Sequence, residues 1–272
     1  MTSDDAAFAA LTRKISKSSG VTLDAYKNKC VRRRIAVRMR ACGVHTYADY
    51  QALLDRSPLE YDRLRDALTI NVTRFYRNPE TWALLRRELL PSLCGPERDS
   101  LRAWSAGCSS GEEPYTLAMM VAAQLDGSGR RGHLERVTIE ATDVDRDSLD
   151  RARAASYSAA GLAEMPADLV RAYFEPAGSE QRVIERIRRR VVVRHLDLST
   201  DPPPRRDYDL ILCRNVVIYF DRPMQERLFR SFAESLVPGG FLVLGKVETL
   251  FGPARDLLTL VDPRERVYRR PA

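Results

Sequence analysis

The chain has 272 residues, a formal net charge of +7, and 44% hydrophobic and 30% charged residues. That balance excludes wholesale disorder, and no apolar run nears the ~18 residues a membrane-spanning helix needs. The start, MTSDDAAF, lacks the basic-then-apolar order of a signal peptide, so a cytoplasmic location is expected. Five scattered cysteines without a Cys-x-x-Cys pair and three isolated histidines predict neither a disulfide framework nor a metal site.

From Asp5 to about Leu93 apolar positions such as Leu23, Tyr26, Cys30, Ile35 and Met39 recur at helical spacing. Helices are predicted near 5–18, 23–42, 46–56 and 58–70, punctuated by Gly20, Gly43 and Ser57-Pro58, with a further helix over 78–93. The stretch 23–40 is basic, with Lys27, Lys29, Arg32, Arg33, Arg34, Arg38 and Arg40 against the single acid Asp24. A second basic cluster runs through Arg182, Arg186, Arg188, Arg189 and Arg190. Each is a solvated face or the footprint of an acidic partner. With few aromatic residues interleaved, stacking on nucleic-acid bases is not expected.

After Leu101 strands and helices alternate: strand 101–105, helix 112–126, strand 136–142 and helix 146–155. A less regular stretch reaches about 190, followed by strands at 191–195 and 208–215, helix 223–236, strand 241–245 and a hairpin of 257–261 with 265–270. The βαβ order predicts a mostly parallel sheet of about seven strands completed by an antiparallel C-terminal hairpin. The expected organisation is an all-helical domain with a linker helix over 1–93, then an α/β domain over 94–272.

The stretch L-R-A-W-S-A-G-C-S-S-G-E-E-P-Y at 101–115 is a short strand that breaks into a small-residue turn and opens a helix with two acids. Gly107 and Gly111 permit backbone conformations that a Cβ resists, and the free N–H groups of the helix point out of the turn. The strand 137–143 then ends in Asp143, where a ribose-binding carboxylate belongs. No lysine follows Gly111 and G-x-G-x-x-G is absent; Glu112 and Glu113 would repel a phosphate chain but suit a cationic ligand, as the ammonium and sulfonium of S-adenosylmethionine are. Plainer roles are a helix N-terminus for the glutamates and an N-cap for Asp143. Gly107-Cys-Ser109-Ser-Gly111 also fits the G-x-S-x-G nucleophile elbow, but that fold needs a late histidine and the last one here, His195, precedes at least three strands. At the end of strand 208–215, Arg214, Asn215 and Tyr219 reach the carboxyl edge of the sheet, and Asn71 to Arg77 forms a polar loop ahead of helix 78–93.

Four blocks, N-V-T-R-F-Y-R at 71–77, W-S-A-G-C-S-S-G-E-E-P-Y at 104–115, A-T-D-V-D at 141–145 and L-C-R-N-V-V-I-Y-F at 212–220, resemble those of the chemotaxis-type protein-glutamate O-methyltransferases, the CheR family. The resemblance implies a Rossmann-like seven-stranded methyltransferase sheet after a small helical domain. It implies an S-adenosylmethionine site lined by Asn71, Thr73, Arg77, Glu112, Glu113, Asp143, Asp197, Leu198, Arg214 and Asn215, with S-adenosylhomocysteine as product. Arg77, Arg214 and Tyr219 would orient the incoming glutamate without a general base. The partners would be the cytoplasmic helices of chemoreceptors, met by Arg32, Arg33, Arg34 and Arg38 of the basic helix, with no nucleic acid and no membrane insertion. The stretch 156–190 would hold the family's small β subdomain. One departure is Gly245-Lys246-Val247-Glu248, where a glycine-histidine-serine-glutamate run is usual; another is Tyr76 in place of a common phenylalanine.

Overall fold

The computed structural model describes residues 3–19, 22–69 and 71–272. The break at Gly20 and the predicted helix end at Ile70 lie outside the described residues. The chain divides into two compact units, one of residues up to 70 together with 219–225, the other of 71–218 and 226–272.

The first unit holds α1 (Ser3–Ser19), α2 (Asn28–Ala41), α3 (Tyr47–Arg56) and α4 (Pro58–Leu68). Side chains cap α3 and α4: Thr46 Oγ1 accepts from the Asp49 N–H and Ser57 Oγ from the Glu60 N–H. The predicted helix 23–42 is in fact two pieces, a 3₁₀ turn at Leu23–Ala25 and α2. The break follows from pairing with the later segment of the same unit. Tyr26 bridges Phe220, the Lys27 N–H donates to the Tyr219 carbonyl at 2.9 Å, and the Asp221 N–H donates to Ala25 at 2.9 Å. An extended pairing claims backbone groups that a continuous helix would use.

α2 buries Val31, Ile35 and Met39, four residues apart, and three of the arginines assigned to a partner turn inward with them. Arg32 pairs with Asp5 at 2.6 Å and lies 4.0 Å over the Phe8 ring. Arg34 donates to the carbonyls of Ala67 and Leu68 at the end of α4 and faces the Tyr219 ring. Arg38 clasps buried Glu60 through two nitrogens, at 3.0 and 2.6 Å, and Tyr50 Oη donates to the same carboxylate at 2.8 Å. Arg32, Arg34 and Arg38, expected to meet a partner, thus have contacts within this unit. The exposed stripe of α2 is Lys29, Arg33, Val37 and Arg40.

The second unit begins with a loop and a helical run of α5 (Pro79–Leu84), a π-turn over Leu85–Leu89 and α6 (Leu90–Leu93). Pro91 has no N–H for the regular ladder, and the helix widens just before it. Trp82, Leu85, Leu89 and Leu90 share one core with Leu101 and Leu117, so this helix packs with the sheet unit, whereas the sequence reading ended the first domain at 93.

The main sheet contains β1 (Leu101–Ala106), β2 (Val137–Asp143), β6 (Val191–His195), β7 (Tyr208–Cys213), β8 (Leu236–Leu244), β9 (Thr259–Asp262) and β10 (Val267–Arg269). Their order is β6-β2-β1-β7-β8-β10-β9, with β10 antiparallel to β8 and to β9 and the other pairings parallel. The helices between strands include α7 (Glu112–Gly127), α8 (Arg146–Ala154) and α11 (Arg222–Ser235). The stretch 156–190 contains β3 (Ser156–Tyr157), β4 (Phe174–Ala177) and β5 (Glu180–Val183) as a separate antiparallel sheet, with α9 (Ala167–Tyr173) before it and α10 (Glu185–Arg188) after it. From β1 the chain steps outward through β2 to β6, then returns to start β7 on the other side of β1. That reversal makes the crevice beyond the carboxyl ends of β1 and β7 the natural ligand site of an open α/β sheet.

Candidate active site

The turn after β1 is bound to the end of β2. The N–H groups of Gly107 and Cys108 both donate to the Thr142 carbonyl, at 2.8 and 2.9 Å, and the Ser109 N–H donates to Asp143 Oδ2 at 2.8 Å. Gly107 and Gly111 have φ of +84° and +97°. A Cβ at Gly107 would collide with the Val216 side chain, and one at Gly111 would lie 2.9 Å from Tyr157 Oη. Both glycines are thus demanded by shape as well as by torsion.

The two glutamates that open α7 go separate ways. Glu113 accepts from Ser105 Oγ at 2.8 Å and from Arg214 at 3.2 Å. Arg214, its side chain 3% exposed, also donates to the Arg77 carbonyl at 2.7 Å and to Asn78 Oδ1 at 3.0 Å, with the Trp82 ring 5.4 Å away. Glu112 accepts only neutral donors: Ser110 Oγ at 2.9 Å, its own backbone N–H and the Thr73 side chain. Burial pushes its pKa above the ordinary carboxylate value, against the pull of those donors and of the Arg151 charge.

Asp143, at the end of β2, accepts from the backbone N–H groups of Ser109 and Asp145; burial nevertheless raises its pKa. Asp145, not Asp143, caps α8, and it also receives the Asn71 side chain, tying the loop before α5 to the β2 edge. Beyond β6, the Leu196 N–H donates to the Asp143 carbonyl at 3.0 Å, and Asp197 accepts from the N–H and Oγ of Ser199 at 2.8 and 2.6 Å. Leu198 follows it, half-buried. Arg77 donates to the Val72 carbonyl at 2.9 Å.

After β7, Asn215 sits at φ +61° and its Oδ1 is buried without a hydrogen-bond partner. Ser109 Oγ and Arg214 Nε are likewise buried and unsatisfied. Ser109, at φ +48°, has the backbone of a nucleophile elbow, but no base contacts its hydroxyl. Tyr219 belongs to the first unit, where Arg34 faces its ring.

Sequence reasoning assigned no role to Glu248, yet this buried carboxylate collects the N–H groups of Gly245 at 2.6 Å, Asn215 at 2.9 Å and Ile218 at 3.2 Å. The signal was present, since it is an acid just past an apolar strand, as Asp143 is. Lys246, the departure noted above, is held by Glu80 at 3.1 Å and Glu265 at 3.2 Å.

A desolvated carboxylate beside a glycine turn, an acid at the end of the next strand and orphaned polar atoms at the β1 and β7 edges define a small-molecule site of the methyltransferase type. The residues fit S-adenosylmethionine, because among the described residues Glu112 has no ion pair and Asn215 Oδ1 and Ser109 Oγ have no partners. The family described as "CheR methyltransferase, SAM binding domain" matches residues 71–266, and "CheR methyltransferase, all-alpha domain" matches 6–69. A chemotaxis protein methyltransferase of Listeria monocytogenes is 34% identical over 243 residues, 89% of this chain and 90% of that protein. Similar proteins occur in Klebsiella aerogenes, 33% identical over 93% of this chain and 86% of the relative, and in Pseudomonas aeruginosa, 34% identical over 89% and 85%. The chain belongs to the CheR methyltransferase family, and its cofactor is S-adenosylmethionine.

Proposed function

We propose that the chain methylates glutamate side chains in the cytoplasmic helices of chemoreceptors, forming glutamyl methyl esters. The observation that carries the cofactor part of this reading is Glu112, a half-buried carboxylate with a raised pKa and no ion pair among the described residues, poised at the glycine turn to take the cofactor's ammonium. Two backbone donors occupy Asp143, leaving acceptor positions of its carboxylate for a ribose hydroxyl. Asn71, Thr73, Arg77, Asp197, Leu198 and Asn215 complete the lining. Bound there, S-adenosylmethionine supplies an electrophilic methyl group.

A glutamate side chain, with an ordinary pKa of about 4.3, is already ionised at neutral pH and needs no base. Catalysis is then positioning and exclusion of water. Glu113 and Arg214 pair inside the fold, so they brace the loop at 77–78 rather than grip substrate. Within this unit, Arg77 is the group that orients the incoming carboxylate. Lys29, Arg33 and Arg40 on the exposed face of α2 supply positive charge for acidic receptor helices.

The test is transfer of labelled methyl groups to a receptor cytoplasmic fragment. Label released as methanol by mild base supports the ester; base-stable label, or label on nucleic acid instead, refutes it. In parallel, Asp143→Ala is expected to weaken S-adenosylhomocysteine binding in titration calorimetry, and unchanged binding would remove the ribose assignment.

A further inference from the structure

The turn after β8 has no assigned role, and its Glu248 is 3% exposed. Three backbone N–H groups donate to this one carboxylate: Gly245 of its own turn, and Asn215 and Ile218 of the loop after β7. Charge-assisted hydrogen bonds from backbone amides are the strong kind, and a loop tied at two nearby points has little freedom left. Two consequences meet at the cofactor edge. Asn215 sits at φ +61°, a left-handed conformation that asparagine tolerates better than most residues with a Cβ, with its N–H held by Glu248 and its Oδ1 buried and unpartnered. Val216 is held against Gly107, where any side chain larger than hydrogen would collide with it. A Cβ at Gly245 would lie 2.8 Å from the Asn215 nitrogen and 2.7 Å from Glu248 Oε2, so that glycine is part of the same fit.

We propose that Glu248 is a positioning residue that fixes Asn215 in its left-handed conformation and so sets the β7 wall of the cofactor site. The proposal rests on the reading that Asn215 touches the cofactor. Lys246 ties the same turn outward to Glu80 and Glu265, so the turn is anchored on two sides. Glu248→Gln keeps the size of the side chain but presents an amide NH₂ to backbone donors, which forces the loop to give way. Glu248→Asp keeps the charge and retracts it by one methylene.

The experiment measures S-adenosylhomocysteine affinity by calorimetry for the wild type, Glu248→Gln, Glu248→Asp, Asn215→Ala and the Glu248→Gln/Asn215→Ala double variant, with thermal melting of each. Glu248→Gln is expected to weaken binding on the order of tenfold, Glu248→Asp less, and the double variant no more than Asn215→Ala alone. A merely structural role would lower Tm and leave the affinity of the folded fraction unchanged. Normal affinity in Glu248→Gln with a loss in Asn215→Ala overturns the proposal alone. Normal affinity in Asn215→Ala removes the Asn215 assignment and the proposal with it. Losses that add in the double variant show that Glu248 does not act through Asn215. Should Glu248→Gln not fold, the same comparisons with Glu248→Asp decide the matter.

Discussion

Removing the Arg214 guanidinium tests how the site is braced. Its side chain is 3% exposed and that of Glu113 13%, so solvent screens the pair little. Arg214→Met would leave Glu113 charged and buried with one hydroxyl partner, Ser105, and would strip a donor from the Arg77 carbonyl and from Asn78 Oδ1. Breaking one side of a buried pair costs about 3–5 kcal/mol. For a unit of this size each kcal/mol lowers Tm by about 2–4 °C, giving a fall of about 6–20 °C. The double variant Arg214→Met/Glu113→Gln should recover part of this, because the uncompensated charge is gone. Because Arg214 also holds residues 77–78, S-adenosylhomocysteine affinity should drop in the single variant. Thermal melting and calorimetry on the same samples give both answers. An Arg214→Met protein that melts within about 2 °C of the wild type would refute the brace, since a surface substitution typically costs no more than that.

Two further outcomes follow from the charges. Burial raises the Glu112 pKa, so its contribution to stability without ligand is present below the unfolded pKa and is lost as pH rises through the folded one. A bound ammonium favours the ionised form, so affinity for S-adenosylhomocysteine should rise with pH from about 4.3 upward, with proton release. Calorimetry in buffers of different ionisation enthalpy reads that proton. Glu112→Gln should flatten the part of the profile that Asp143 and Glu248 do not cause, and a flat profile in the wild type would count against the ammonium placement. On α2, the double change Arg33→Glu and Arg40→Glu should weaken binding of a receptor fragment and reduce its salt dependence while leaving Tm unchanged, whereas Arg38→Ala should lower Tm by breaking its pair with Glu60. Receptor affinity equal to the wild type at low salt would rule the stripe out.

Much of this protein is readable residue by residue because the signals are local. The βαβ alternation, the glycine turn at 107–111 and Asp143 at a strand end all lie within short windows, where periodicity and turn chemistry act. The helix over 23–42 was misread as continuous because its interruption comes from pairing with Phe220, far along the chain. Glu248 went unassigned for the same kind of reason: the amides that it holds are about 30 positions earlier.

The sequence by itself determined the fold class, the family and the edge of the sheet that carries the chemistry, since each depends on patterns within an element or on contiguous motifs. Only the tertiary structure decided which charges are free to act. Glu112 and Glu113 are adjacent and chemically equal, yet Glu113 meets Arg214, 101 positions away, and Glu112 has no ion pair among the described residues. The arginines of α2 likewise divide into inward braces and an outward stripe according to where Asp5, Glu60 and the end of α4 come to rest. A charge is spent or available according to its neighbours in space and their shared burial, and with those partners tens of residues away, only folding reveals which it is.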